Sequence, residues 1–358
     1  MLPVMYSKLA FYVVSALGLA LLMVVHETGH LLAARKFGMR VVKFSIGFGP
    51  VLYRRQPVGS TTVYQIAIIP FLAYVQIAGM NPYEDIDPKD PGSYANATLW
   101  ARICTIAAGP LSNYFFASIL MFGGFYLGGH KLVEETSMRV SIAQDGPARA
   151  ANMKDGDRIA KVNGETITDW EQLKKAVGSH PGEAIVVTVV RDAEHGEQTL
   201  DLPVTPLPKG NHYAGKILIG PYARIVKVSA AEAAVLSLTE PPKVVYELVH
   251  GLARGIAQRL EGKEDDLEFL GPVGIFKLTS EVVESGAANT MQFLGVLSAY
   301  LGGFNLLPIP ALDGGRLLFL GFEAASRKRA DAKIEARVHA IGLVMMLGFI
   351  AFLTYSGR

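Results

Sequence analysis

The segment Val24-Val25-His26-Glu27-Thr28-Gly29-His30-Leu31-Leu32 constrains this chain most: it is an HExxH motif set in apolar sequence. From Leu9 to Val25 there is no charged residue. A run that long reads as a membrane-spanning helix, and ionisable groups inside such a helix cost enough to mark a functional site. On a helix, positions i and i+4 share a face, so His26 and His30 can hold one metal ion. Glu27, beside them, is placed to act as general base on water at that metal. The motif is short enough to arise by chance in a soluble helix, and its apolar setting removes most of that alternative. A catalytic zinc takes three protein ligands and keeps one position open, so a third ligand is expected elsewhere.

Composition agrees with a membrane protein carrying one soluble domain. Of 358 residues, 50% are hydrophobic and 18% charged, and the mean hydropathy is +0.29. The net charge of +2 gives no reason to expect nucleic acid as a partner. The single cysteine, Cys104, excludes an intramolecular disulfide and reads as a small buried residue. Four apolar runs are long enough to matter, from Leu9 to Ala34, Ile103 to Gly129, about Thr290 to Leu312, and Ala340 to Gly357. The first has little basic flank and no convincing cleavage site, so it is expected to be a retained span rather than a signal peptide. Arg35, Lys36, Arg40, Lys43, Arg54 and Arg55 follow the first run, and Arg327, Lys328, Arg329, Lys333 and Arg337 separate the last two. The positive-inside rule places both clusters in the cytoplasm. Both termini and the segment from His130 to about Asn289 then lie on the opposite side, with the motif near the cytoplasmic face.

Residues from about Val140 to Val204 read as a compact α/β module. Asn163-Gly164 suits a hairpin turn, Asp169 suits a helix N-cap, and the stretches 185–191 and 198–204 alternate as paired strands. This order, with GPARAANMKDGDRI and VNGETITDW, resembles a circularly permuted bacterial PDZ domain. Such a domain binds an extended peptide by strand addition; a steric spacer is the alternative. Beyond it, Pro241-Pro242 are expected to start an amphipathic helix whose apolar face carries Val244, Val245, Leu248, Val249, Leu252, Ile256 and Leu260. The acidic stretch from Glu261 to Glu268 disfavours an anionic lipid surface, so this helix is expected to pack on the spans.

The third run holds the missing ligand. Gly303-Phe304-Asn305-Leu306-Leu307-Pro308-Ile309-Pro310-Ala311-Leu312-Asp313-Gly314-Gly315-Arg316 reads as two helices broken by two prolines and two glycines. Broken backbone at membrane depth is tolerated only within protein or beside a water-filled cavity. Asp313 ends an apolar run, where a carboxylate is costly unless paired or metal-bound. His26, His30, Asp313 and water complete a tetrahedral zinc site; a helix N-cap role for Asp313 is compatible with this. Asn305 suits a hydrogen bond to a substrate carbonyl or oxyanion, or else ties the broken helix together.

HETGH at 26–30, Asn305-Leu306-Leu307-Pro308 and Leu312-Asp313-Gly314 together are similar to the site-2 protease family of intramembrane zinc metalloproteases. FSIGFGP at 44–50, AGPLSN at 108–113 and GPVGI at 271–275 resemble it as well. The likeness covers nearly the whole chain and is strongest to the bacterial regulator-of-sigma-E protease type. It implies a polytopic α-helical membrane protein with four transmembrane helices, a membrane-reentrant β-hairpin around Val63 to Gly79, and one periplasmic α/β PDZ domain. Best-known members of that branch carry two PDZ modules in tandem, whereas one is found here. The implied division is a first membrane part at 1–130, the PDZ domain at 131–206, a post-PDZ segment at 207–289 and a second membrane part at 290–358. The resemblance further implies regulated intramembrane proteolysis in a bacterial inner membrane. Zinc is held by His26, His30 and Asp313, and Glu27 activates water. Asn305 and Asn113 are substrate-facing candidates, Asn113 having the broken span as its other possible neighbour. The partner is a transmembrane substrate already trimmed by a periplasmic protease, of the anti-sigma-factor or remnant-signal-peptide type.

Overall fold

The structure, a computed structural model, describes residues 2–81, 83–84, 87, 89–133, 136–143, 145–193, 196–208, 215–261 and 271–355. Two compact units emerge, Met1–Gly128 with Val228–Arg358, and Gly129–Lys227.

The first unit opens with helix α1 (Leu2–Lys36), strands β1 (Val41–Arg55) and β2 (Val63–Ile77), and helix α2 (Leu99–Gly128). The chain then passes through the second unit, which holds β3 (His130–Val133), β4 (Val140–Ile142), α3 (Pro147–Ala150), β5 (Arg158–Val162), β6 (Glu165–Thr166), α4 (Trp170–Gly178), β7 (Ile185–Ala193), β8 (Gly196–Val204), β9 (Ile219–Pro221) and β10 (Ala223–Val226). It returns to the first unit as helices α5 (Ala230–Leu260), α6 (Pro272–Glu284), α7 (Ala287–Leu306), α8 (Asp313–Ser326) and α9 (Ala332–Tyr355).

Among the described residues, three helices are long and apolar enough to cross a bilayer: Lys8–Lys36 of α1, Leu99–Gly128 and Ala332–Phe352 of α9. Val344 and Met345 on α9 are each 70% exposed, the surface expected of a helix solvated by lipid chains. The expected third span, α7, is 20 residues long and falls outside this set, because polar residues lower its hydropathy. Those groups are engaged. Gln292 Nε2 donates to Gly124 O at 3.0 Å, and Ser298 Oγ to Asn113 O at 2.9 Å. Small residues let the two backbones approach: a Cβ on Gly302 would sit 2.9 Å from Pro110 O.

The register of β1 and β2 makes more than a simple hairpin. Phe44 pairs with both Val75 and Tyr64, Ser45 with both Tyr74 and Gln65, and Ile46 with both Ala73 and Ile66, while Val51 to Arg55 pair with Ala67 to Tyr64. Each long strand therefore folds back, giving four rows in the order 51–55, 63–67, 41–46, 73–77. The row 73–77 is left as an edge. The bend needs Gly47, at φ +92°, where a Cβ would lie 2.6 Å from Ala67 O.

Helix α5 corrects the expected start at Pro241. It begins eleven residues earlier, behind a capping box in which Glu232 N bonds Ser229 Oγ at 3.2 Å and Ser229 N bonds Glu232 Oε2 at 2.7 Å. Both prolines lie inside the helix. Ala233 and Leu236, packed with Met121 and Phe125 of α2, hold the earlier turns in place, and Val245 lies against Gly303 of α7. The helix thus packs on the spans. The acidic stretch after Glu261 lies outside the described residues. Cys104 is half-buried rather than buried and carries no disulfide.

Arg102, at the start of α2, joins it to α8 by a two-pronged ion pair with Glu323. Nη1 donates to Oε2 at 2.9 Å, Nη2 donates to Oε1, and the side chains are only 6% and 16% exposed. The guanidinium holds the Glu323 carboxyl below the ordinary range. Removing one partner of a shielded pair leaves the other charge uncompensated, which costs about 3–5 kcal/mol. Arg102→Ala is therefore expected to lower the thermal unfolding midpoint of the detergent-solubilised protein by several degrees. An unchanged midpoint would show that water already screens this pair.

In the second unit, β6, β5, β7 and β8 form an antiparallel sheet in that order. Val187 and Val189 on β7 are fully buried against Ile159, Leu173 and Val177. Asn163 and Gly164, at φ +49° and +86°, make the expected turn, and Asp169 caps α4 by accepting from Gln172 N at 2.8 Å. Arg191 clamps Asp157 with two 2.7 Å bonds. The short pairs β4–β9 and β3–β10 complete the unit, and the second brings its entry and exit together.

Candidate metal centre

Helix α1 delivers His26 and His30 one turn apart, both buried, and α8 delivers Asp313 as its first residue. His26 Nε2 lies 3.0 Å from Asp313 Oδ2, His30 Nε2 lies 3.2 Å from it, and the two nitrogens are 3.2 Å apart. Zinc–ligand bonds of about 2.0–2.1 Å at tetrahedral angles put donor atoms roughly 3.3 Å apart, so this triangle has nearly the right edge.

Proton placement strengthens the fit. His30 Nδ1 is 2.8 Å from Thr105 O. A carbonyl only accepts, so Nδ1 carries the hydrogen, and neutral His30 has a bare lone pair at Nε2. That lone pair faces a carboxylate oxygen that is buried and has no hydrogen-bond partner. Two lone pairs meeting at 3.2 Å repel each other unless a cation lies between them. Of the groups of His, Cys, Asp and Glu among the described residues, His26, His30 and Asp313 are the set close enough to share an ion.

The rest of the pocket is built by close backbone approach. A Cβ on Gly29 would run into Ala108 O, and one on Gly109 into the His30 ring, so α1 and α2 cross at two glycines. Ser112 Oγ donates across the crossing to Val25 O at 2.8 Å. Gly29→Ala should push the helices apart. Displacements near 1 Å at a reacting centre cost about 100-fold in rate, so any reaction run at this centre is expected to slow by that order. Gly348→Ala, where nothing lies within 4 Å, should leave it unchanged.

Asp313 is placed by a break. Helix α7 ends at Leu306, and the chain turns through Pro308 and Pro310 to Ala311, whose φ of +79° is unusual for a residue with a Cβ. His339 on α9 holds that turn, its Nδ1 accepting from Ala311 N at 3.0 Å. A Cβ on Gly314 would meet the carbonyls of Leu306 and Leu307, which explains the Asp-Gly pair. His339 was missed in the sequence; a lone histidine immediately before the last apolar run was the available signal. Thr105 acts through its carbonyl and leaves no signal at all.

Glu27 Oε2 accepts from Val75 N at 3.0 Å, so the edge row 73–77 lies against the carboxylate of the motif. A cavity of about 920 Å³ runs beside this edge, lined by Tyr74, Val75, Gln76, Arg316, Glu335 and His339 among others. Asn113 is fully buried with its amide toward His26, and Asn305 Nδ2 donates to Leu301 O of its own helix at 2.9 Å. The structure therefore gathers His26, His30, Asp313, Glu27 and Asn113, while Asn305 bonds within α7.

Two helix-borne histidines and a carboxylate from a broken helix form a set that could hold a metal ion, and the chain belongs to peptidase family M50, the site-2 proteases, which it matches over residues 14–349. It is a membrane-bound zinc metalloprotease. A Nostoc sp. protein that carries a zinc metalloprotease name is 32% identical over 348 residues, spanning 94% of this chain and 92% of its own length. The zinc metalloprotease RasP of Geobacillus kaustophilus is 28% identical, spanning 92% of this chain and 93% of its own. The regulator of sigma-W protease RasP of Bacillus subtilis is also 28% identical, with 92% and 94% covered.

Proposed function

We propose that the protein is an intramembrane endopeptidase that cuts single-pass membrane proteins in regulated proteolysis. Zinc is held by His26, His30 and Asp313, and Glu27 is the general base. The observation that carries this reading is the Val75–Glu27 hydrogen bond, because it sets an open strand edge beside the catalytic carboxylate within a membrane-spanning segment. A transmembrane helix shields its peptide bonds. A segment that unwinds regains main-chain hydrogen bonds by pairing with the groups of the edge 73–77 other than Val75 N, which Glu27 holds, and its carbonyls then lie beside Glu27.

Bound zinc supplies a Lewis acid that polarises the scissile carbonyl and acidifies water. Glu27 takes the proton of the attacking water and delivers it to the departing amine, with Val75 N fixing its carboxylate. Asn305 keeps a second amide hydrogen beyond the one given to Leu301 O, available to the carbonyl oxygen.

The hairpin carries exposed Phe48, Leu52, Tyr53 and Ile68, which suits re-entry into lipid, and α7 serves as the fourth span. Arg329 Nη1 donates to Ala95 O and Arg40 N donates to Gly92 O, so residues of both basic clusters meet the one segment 92–95. This supports a cytoplasmic active-site end in a bacterial inner membrane, with termini and the second unit periplasmic. The second unit is assigned as a PDZ domain that binds a peptide tail or excludes untrimmed substrates, so an upstream periplasmic protease acts first.

The test reconstitutes the protein in liposomes with single-span substrates bearing or lacking a helix-breaking residue, and maps products by mass spectrometry. Cuts inside the span, faster when the helix is broken, are expected. Cleavage confined to soluble unfolded protein would overturn the proposal.

A further inference from the structure

Helix α2 contacts both motif histidines on the side away from Asp313, and it treats the two differently. His30 Nδ1 finds a backbone carbonyl, Thr105 O. His26 Nδ1 instead faces a side-chain amide, with Asn113 Nδ2 3.4 Å away. Asn113 is fully buried and ranks among the largest completely enclosed side chains of the protein. Its Oδ1 is buried with no hydrogen-bond partner. Its position is pinned from α7, where Ser298 Oγ donates to its carbonyl and Gly302 closes over its Cβ.

A buried amide oxygen without a partner is costly, and here it belongs to the side chain that faces the His26 ring. Ligation of a metal through Nε2 puts the remaining imidazole hydrogen on Nδ1, which then needs an acceptor. Thr105 O meets that need for His30. For His26 the group facing Nδ1 is Asn113, and the two ends of an amide exchange by a half-turn about the last side-chain bond. Nothing holds Oδ1 where it lies, so the half-turn breaks no bond made by that oxygen.

We infer that Asn113 is a positioning residue for the metal centre, its Oδ1 accepting the Nδ1 hydrogen of His26 and fixing the ring so that Nε2 points at the ion. The inference rests on the metal-centre reading above. It gives Asn113 a task in metal binding, away from the substrate.

The test is equilibrium zinc affinity of the detergent-solubilised full-length protein, by competition with a chromophoric chelator, for Asn113→Leu, Asn113→Asp and Asn113→Ser. Loss of an outer partner of a ligating histidine weakens metal binding by about 10–100-fold. Asn113→Leu should show that loss. Asn113→Asp, which keeps an acceptor at the same reach, should recover affinity to within a few-fold, and the visible spectrum of the cobalt-substituted protein should return with it. Wild-type affinity in Asn113→Leu, or equal loss in a folded Asn113→Asp, would overturn the inference. If Asn113→Leu does not fold, Asn113→Ser against Asn113→Asp decides the same question. His26→Ala separates the two levels: if it leaves zinc binding intact, the metal-centre reading fails, whereas lost zinc there with no effect at Asn113 defeats this inference alone.

Discussion

Glu27→Gln should lower cleavage of a membrane-embedded substrate by about 100- to 10,000-fold while leaving stoichiometric zinc in the protein. General-base catalysis contributes roughly 10²–10⁴-fold, and an amide has no basic lone pair with which to take a proton from water. Size and shape are conserved, and a glutamine oxygen still accepts from Val75 N, so the edge row 73–77 should stay in place. The measurement pairs metal analysis with product mapping on one preparation. Residual activity above a tenth of the wild type would move the base to another residue, and loss of zinc would make Glu27 structural. In cells, membrane segments that accumulate uncut with this variant identify the physiological substrates.

Asp313→Ala should abolish activity by a different route. It removes one corner of a triangle whose edges are 3.0, 3.2 and 3.2 Å, leaving two imidazoles to hold the ion. Zinc affinity should fall by well over the roughly 100-fold that marks loss of an outer-shell partner. Asp313→Asn is the sharper control, since it keeps the volume and the start of α8 but removes the charge. Full zinc occupancy in both variants would exclude Asp313 as a ligand and send the search for a third donor elsewhere. Together with Glu27→Gln, these variants separate loss of the proton acceptor from loss of the metal.

Much of the centre was legible because its chemistry is local in sequence. His26, Glu27 and His30 sit within one turn and a half of a helix, and costly ionisable groups stand out in an apolar run. Asp313 was legible for the same reason, with Pro308, Pro310 and two glycines marking the break that places it. The strands of the second unit followed from alternation and turn chemistry, as at Asn163-Gly164. What escaped depends on contacts across long separations. The doubled register of β1 and β2 comes from Gly47 allowing a bend, and the largely apolar run from Ile66 to Ala73 has no alternation that would mark one register over the other. The first turns of α5 were hidden because Pro241 and Pro242 read as a helix start, whereas packing of Ala233 and Leu236 on α2 carries the helix through them. His339 acts on a backbone amide 28 positions away, and no local pattern reports such a partner.

The pairing of β3 with β10 has a consequence for how such proteins diversify. The strand that leads into the second unit and the strand that leads out of it are neighbours, joined from His130–Val226 to Val133–Ala223. A module whose two ends emerge side by side is interchangeable. It can be lengthened, duplicated or exchanged without altering the separation of the two chain ends that the membrane helices must supply. The inserted unit and the helices that carry His26, His30 and Asp313 can thus evolve at different rates within one polypeptide.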